Sequence, residues 1–114
     1  MHQTVVETSE FIRQAKTCLS NELKDEFVNA IAKDPLKGVL IQGTGGARKI
    51  RWAAGANQGK RAGVRIVYYY HDKTTPVFLF AVYGKTQKAN LSSAERALLK
   101  TIIRQIVETY GSES

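Results

Sequence analysis

Acidic side chains are missing from a long part of this sequence. From Pro35 to His71 there is no Asp and no Glu, while Lys37, Arg48, Lys49, Arg51, Lys60, Arg61 and Arg65 supply seven positive charges. The chain of 114 residues carries 17 basic and 10 acidic residues, a formal net charge of +7, so the whole excess resides in this one segment. Cysteine is almost absent. Cys18 stands alone, which excludes an internal disulfide and a cysteine-based zinc site. No apolar run approaches the roughly 20 residues needed to cross a bilayer, and residues 1–4 lack the basic region and apolar run of a secretory signal. The expectation is a cytoplasmic protein with no membrane partner. Paired carboxylates are missing from the basic stretch, so metal-dependent nuclease chemistry lacks its ligands there and no metal is expected. Gly84-Lys85-Thr86 imitates the end of a P-loop, but Leu79 stands where that motif needs glycine, which excludes nucleotide hydrolysis by this route. No Ser-His-Asp set and no cofactor motif stands out. A solvated face is the bland reading of the basic run. An acid-free run of this length fits a surface that meets a polyanion better.

What is present is enough for one domain spanning residues 1–114. Val5 and Val6 predict a short strand over 3–7. Thr8 or Ser9 can cap a helix whose stripe is Phe11, Ile12, Ala15, Cys18 and Leu19. Ser20 looks like a second cap, and Leu23, Phe27, Ala30 and Ile31 form the next stripe. That helix must stop at Asp34-Pro35, because the residue before proline is pushed out of the helical region. Residues 36–46, rich in glycine, read as a connection. Strands follow over 47–53, 64–71 and 77–83, with a polar loop over 55–63 and a turn over 72–76. The strand over 77–83 is apolar on both faces and therefore central. Ser92-x-x-Glu95 is a capping-box pattern opening a last helix, with Leu98, Leu99, Ile102, Ile103, Ile106, Val107 and Tyr110 as its stripe and Gly111 as its stop. The order is β-α-α-β-β-β-α: an α+β fold, with a helical hairpin packed on a mostly antiparallel four-stranded sheet and a C-terminal helix.

Alternation assigns the faces. Val64, Ile66, Tyr68 and Tyr70 point one way, and Arg65, Val67, Tyr69 and His71 the other. The all-apolar set belongs on the helical hairpin, which leaves Arg65 on the opposite face. Parity allows Lys49 and Arg51 to join it there. A basic, metal-free site can cleave RNA, because the ribose 2′-hydroxyl can attack its own adjacent phosphate. The protein then needs to position the strand and stabilise the added negative charge, where one preorganised donor is worth about 3–4 kcal/mol. Arginine stays charged and cannot serve as the base. A lysine crowded by cations can, and Lys49, between Arg48 and Arg51, is that candidate. Gly43-Thr44-Gly45-Gly46 reads either as a phosphate cradle or as a turn. His71, beside Asp72, reads as a turn residue and Cys18 as core.

The sequence also resembles a known family. The blocks that carry the resemblance are Ile41-Gln42-Gly43-Thr44-Gly45-Gly46-Ala47-Arg48-Lys49-Ile50-Arg51, Gly59-Lys60-Arg61-Ala62-Gly63-Val64-Arg65-Ile66-Val67-Tyr68-Tyr69, Tyr83-Gly84-Lys85 and Leu91-Ser92. Together they resemble the RelE/ParE toxin superfamily, with the HigB-like branch as the nearer match, over nearly the whole chain. The resemblance implies a RelE-like fold and a toxin of a type II toxin–antitoxin system. It implies a metal-independent mRNA endonuclease that acts at the bacterial ribosome, inhibits translation and is silenced by a cognate antitoxin protein. The catalytic residues so implied are Lys49, Arg51, Arg65 and Lys85, with Arg48, Lys60, Arg61 and Lys88 as RNA-binding residues. Arg51 replaces a lysine of the family pattern, Thr86 stands where RelE has an arginine, and the terminal tyrosine of RelE has no counterpart. Lys85 and Lys88 are the candidates to replace the missing cation, and the general acid is unassigned. The alternatives are a ParE-like toxin that binds gyrase and cleaves nothing, and a basic RNA-binding module without activity.

Overall fold

Helix starts in this chain are set by hydroxyl caps. The computed structural model describes residues 4–52, 63–84 and 90–111. After β1 (Val5–Glu7), Thr8 keeps extended backbone and its hydroxyl accepts the Phe11 N–H at 3.2 Å, so α1 (Ser9–Cys18) begins there. Ser20 repeats the device for α2 (Asn21–Lys33), accepting the Leu23 N–H at 3.2 Å. α2 ends at Asp34, immediately before Pro35. Four strands follow: β2 (Val39–Leu40), β3 (Arg48–Trp52), β4 (Val64–Tyr69) and β5 (Val77–Gly84). The chain then enters α3 (Ser93–Gly111) through the expected box: Ser92 N–H donates to Glu95 Oε1 at 2.8 Å and Glu95 N–H donates to Ser92 Oγ at 3.1 Å.

The sheet order is β1-β5-β4-β3-β2, and β1–β5 is its parallel pair. This makes five strands where the sequence predicts four. The added one is β2, inside the expected 36–46 connection, paired antiparallel to β3 through Val39–Lys49 and Leu40–Arg48. Two residues are too few to show a period-2 pattern. What brings the chain back is a turn built on Thr44, which is fully buried. Its hydroxyl donates to Ile41 O at 2.7 Å and accepts the Ala47 N–H at 3.0 Å, while Ile41 N–H donates to Ala47 O at 2.8 Å. Gly43, Gly45 and Gly46 hold positive φ angles of 80°, 80° and 126°, which side-chain-bearing residues rarely adopt.

Each face of the sheet has its own core. Phe11, Ala15, Leu19, Phe27 and Ile31 of the hairpin pack with Val64, Ile66, Tyr68, Val77, Leu79 and Val82 on one side. Leu99 and Ile103 of α3 pack with Ala47, Val67, Tyr69, Phe80 and Tyr83 on the other. Burial of each large side chain of this kind contributes about 1.5–3 kcal/mol. Leu98, predicted in the α3 stripe, is 61% exposed; it follows from Leu99 taking the sheet-facing place, since adjacent helical residues diverge by about 100°. β5 is flanked on both sides, as its apolar faces require, but it is not regular. Val67 pairs with Ala81 and Tyr68 with Leu79, so Phe80 is an extra residue in a β-bulge. Phe80 and Ala81 both go to the α3 side, and Leu79 and Val82 both go to the hairpin side. Gln14 of α1 braces this irregularity, its side-chain oxygen accepting the Val82 N–H at 2.9 Å.

Tyr68 ties the 35–38 segment to the sheet. Its buried hydroxyl accepts the Gly38 N–H at 2.7 Å and donates to Pro35 O at 3.0 Å. Burial pushes the phenol's pKa up, so it keeps its proton and both bonds at neutral pH. No side chain would fit at Gly38, where a Cβ would lie 2.7 Å from that hydroxyl and 2.9 Å from Lys49 O. Tyr68→Phe should therefore lower stability by about 1–3 kcal/mol, the cost of leaving a buried amide unsatisfied. Urea unfolding monitored by circular dichroism measures it, and an unchanged midpoint would show that the bridge is dispensable.

Candidate functional site

Pairing across β3 and β4 determines which basic residues meet. Lys49 is opposite Val67, Ile50 opposite Ile66, and Arg51 opposite Arg65. Directly paired residues share a face, so Ile50 and Ile66 point into the hairpin core. Lys49, Arg51 and Arg65 point to the α3 side, as parity allows. Arg51 and Arg65 are direct cross-strand neighbours, with Lys49 diagonal to Arg65. α3 does not cover this end of the sheet. An open cleft of about 390 Å³ remains, lined by Lys37, Gly38, Lys49, Arg51, Arg65 and Asn90 among others. Tyr83, buried, is the neighbour of Arg65 on β5.

None of the cleft's lining residues is Asp, Glu, His or Cys. Among the described residues no cluster of three or more such side chains is placed to hold a metal ion. The Lys and Arg side chains of the cleft take part in none of the salt bridges among the described residues, which join Arg13 to Glu10, Lys24 to Glu7 and His71 to Asp72. The cleft therefore presents several cations with no built-in counter-ion. Such a site can bind an anion of several charges and stabilise charge that accumulates on it.

Other sequence-predicted residues fall elsewhere. Arg48 does not join the group. It is opposite Tyr68, on the hairpin side, and its guanidinium donates to Gly38 O at 2.7 Å and to Leu36 O at 3.4 Å. In this place it holds the 36–38 wall of the cleft from behind. Lys60, Arg61, Lys85 and Lys88 lie outside the described residues. His71 lies two residues beyond β4, which ends at Tyr69 and not at the expected 71; its Nδ1 is 3.1 Å from the Tyr69 hydroxyl, which agrees with a turn role. Sequence reasoning did not single out two lining residues. Lys37 was counted as a charge without a role; its ammonium lies 5.9 Å from the Trp52 ring centroid, which steadies it at the rim. Asn90 carried no signal.

No known family model matches the chain. Among solved structures, it is similar to the E. coli toxin RelE, in the free state of a double arginine-to-alanine mutant, with a TM-score of 0.55. The two share 15% sequence identity over 91% of this chain and 98% of that one. The likeness establishes the RelE-like α+β fold that the sequence predicts.

Like charges directly opposite across a ladder repel, which costs a few tenths to about 1 kcal/mol. Arg51→Gln should accordingly raise stability by about 0.5 kcal/mol at low salt. The gain should vanish in about 1 M salt, where charges are screened beyond about 3 Å. Urea titrations at the two salt concentrations test this; a gain independent of salt would mean that the arginines do not repel.

Proposed function

We propose that this chain is the toxin of a toxin–antitoxin pair and acts as a ribosome-dependent mRNA endonuclease, in keeping with its resemblance to the HigB-like branch. The observation that carries the reading is the convergence of Lys49, Arg51 and Arg65 on one open, carboxylate-free cleft within a RelE-like fold. In the reaction, the ribose 2′-oxygen forms a bond to the adjacent phosphorus, the bond from phosphorus to the 5′-oxygen breaks, and that oxygen takes up a proton. The products are a 2′,3′-cyclic phosphate and a 5′-hydroxyl. Arg51 and Arg65 are assigned to the phosphorane, whose extra negative charge two cross-strand guanidiniums can accept from one side. Lys49 is the base or a further phosphate contact. Lys85 and Lys88 are the candidates for the outer cationic contacts, and the general acid is unassigned.

The ribosome's role in this proposal is to hold the message in the bent form that in-line attack needs. The cleft is open and offers few groups to impose such a shape. Silencing follows from the same charge: an acidic or amphipathic segment of the antitoxin would occupy the cleft or block its approach to the ribosome.

Arg65→Ala should reduce cleavage of messages on intact ribosomes by about 10²–10³-fold, the usual effect of removing one preorganised donor. The fold, judged by circular dichroism, should remain. Sequencing of cut ends after brief expression should find breaks within codons of translated messages, carrying cyclic or 3′-phosphates. DNA breaks with intact messages would replace this reading with gyrase inhibition, and 5′-phosphate ends would replace the 2′-hydroxyl chemistry with metal-type hydrolysis.

A further inference from the structure

A second group of cations lies on α3, outside the cleft. Arg96, Lys100 and Arg104 recur every four residues, which places them on one side of the helix with about 6 Å of rise between successive positions. Lys100 and Arg104 are exposed, Arg96 is half-buried, and none of the three takes part in a salt bridge among the described residues. The buried Nε of Arg96 has no hydrogen-bond partner among the described residues. The acidic residues of α3 do not interrupt the row. Glu95 is turned toward Ser92 as the capping partner, and Glu108 lies one turn beyond Arg104 at the far end.

This row runs beside the Gly43–Gly46 turn. A Cβ at Gly43 would lie 3.9 Å from Arg96 Cδ, and one at Gly45 would lie 3.6 Å from Lys100 Cγ. The basic stems of Arg96 and Lys100 thus flank the turn at close range. Between turn and helix is a groove of about 270 Å³ lined by Gly45, Lys100, Ile103, Arg104, Val107 and, at its far end, Glu108. The turn is itself rigid, because buried Thr44 closes it from inside. The row also continues from the cleft: Asn90 lines the cleft and α3 begins three residues later, with Arg96 on its first turn.

We infer that the Gly43–Gly46 turn and the α3 row of Arg96, Lys100 and Arg104 form a second RNA-backbone site, which carries the strand onward from the cleft. The ligand is the phosphodiester backbone of single-stranded RNA. The row's spacing is comparable to that of successive phosphates, and none of the described residues lining the groove is aromatic. The inference rests on the proposed RNA-binding role of the cleft, but different side chains carry it.

The test is a binding titration of a 20-nucleotide single-stranded RNA at several salt concentrations. It compares the wild-type chain, the triple variant Arg96→Gln/Lys100→Gln/Arg104→Gln and the cleft variant Arg51→Gln/Arg65→Gln. Each phosphate contact on a single strand contributes about 0.7 to the log–log salt slope, so the triple variant should lose about 2 units of slope. A folded triple variant with the wild-type slope would overturn the inference. If the triple variant does not fold, the exposed pair Lys100→Gln/Arg104→Gln should lose about 1.4 units on the same scale, and no loss would overturn it equally. A cleft variant with unchanged slope beside a triple variant that loses it would sink the cleft reading and leave this one standing. A wild-type chain whose affinity for RNA does not vary with salt would overturn both.

Discussion

Ile50 and Ile66 face each other across β3 and β4, and both are held against the hairpin. Because side chains alternate strictly along a strand, this pair decides the direction of everything beside it. A slip of one residue would drive Arg51 into the apolar layer and bring Ile50 out to water. The cost of burying an unpaired guanidinium makes that slip prohibitive. The convergence of Lys49, Arg51 and Arg65 is therefore a by-product of core packing on the reverse side of the same two strands. The cations repel one another, and the apolar pair behind them keeps them together.

The two layers over the sheet are unequal, and the site occupies the difference. The hairpin covers one face with Phe11, Phe27 and Ile31. α3 covers the other where Ala47, Val67, Tyr69, Phe80 and Tyr83 lie. Toward Arg65 the described residues leave the sheet open, with the 36–38 segment as a rim. That rim has little packing of its own and depends on polar ties: Tyr68 from the sheet, Arg48 from β3 and the absence of a side chain at Gly38.

Much of this was legible from residue order. Thr8, Ser20 and the Ser92–Glu95 box are local signals, and each cap is where its hydroxyl predicted. The alternation of Val64, Ile66 and Tyr68 against Arg65, Val67 and Tyr69 puts Arg65 on the face away from the hairpin, because only the all-apolar set fits the hairpin core; Val67 and Tyr69 of the other set are buried as well, under α3. Less visible were features that depend on long-range contact. β2 is recognisable only by its partner. The bulge at Phe80 is invisible in a run that is apolar on both faces. Arg48 shares its charge with Lys49, but it has the parity of Ile50 in the strand's alternation, which sends it to the other side. Of the two readings of Gly43–Gly46, the structure shows the turn, closed from inside by Thr44.

The bulge at Phe80 acts as a phase step in the strand. Before it, β5 presents Val77 and Leu79 to the hairpin; after it, the parity is reversed and Val82 takes that duty. If the same residues ran without a bulge, Tyr83 would be in the hairpin core and Val82 would stand beside Arg65. One inserted residue thus lets a single strand serve the core at both ends while offering an aromatic neighbour to the cations at one of them. The length of β5 is consequently a constraint of a different kind from the identity of its residues. Many apolar substitutions there would leave the phase intact, and removal of Phe80 itself would restore a regular alternation, but a residue inserted or deleted to either side of the bulge would exchange inside for outside along part of the strand.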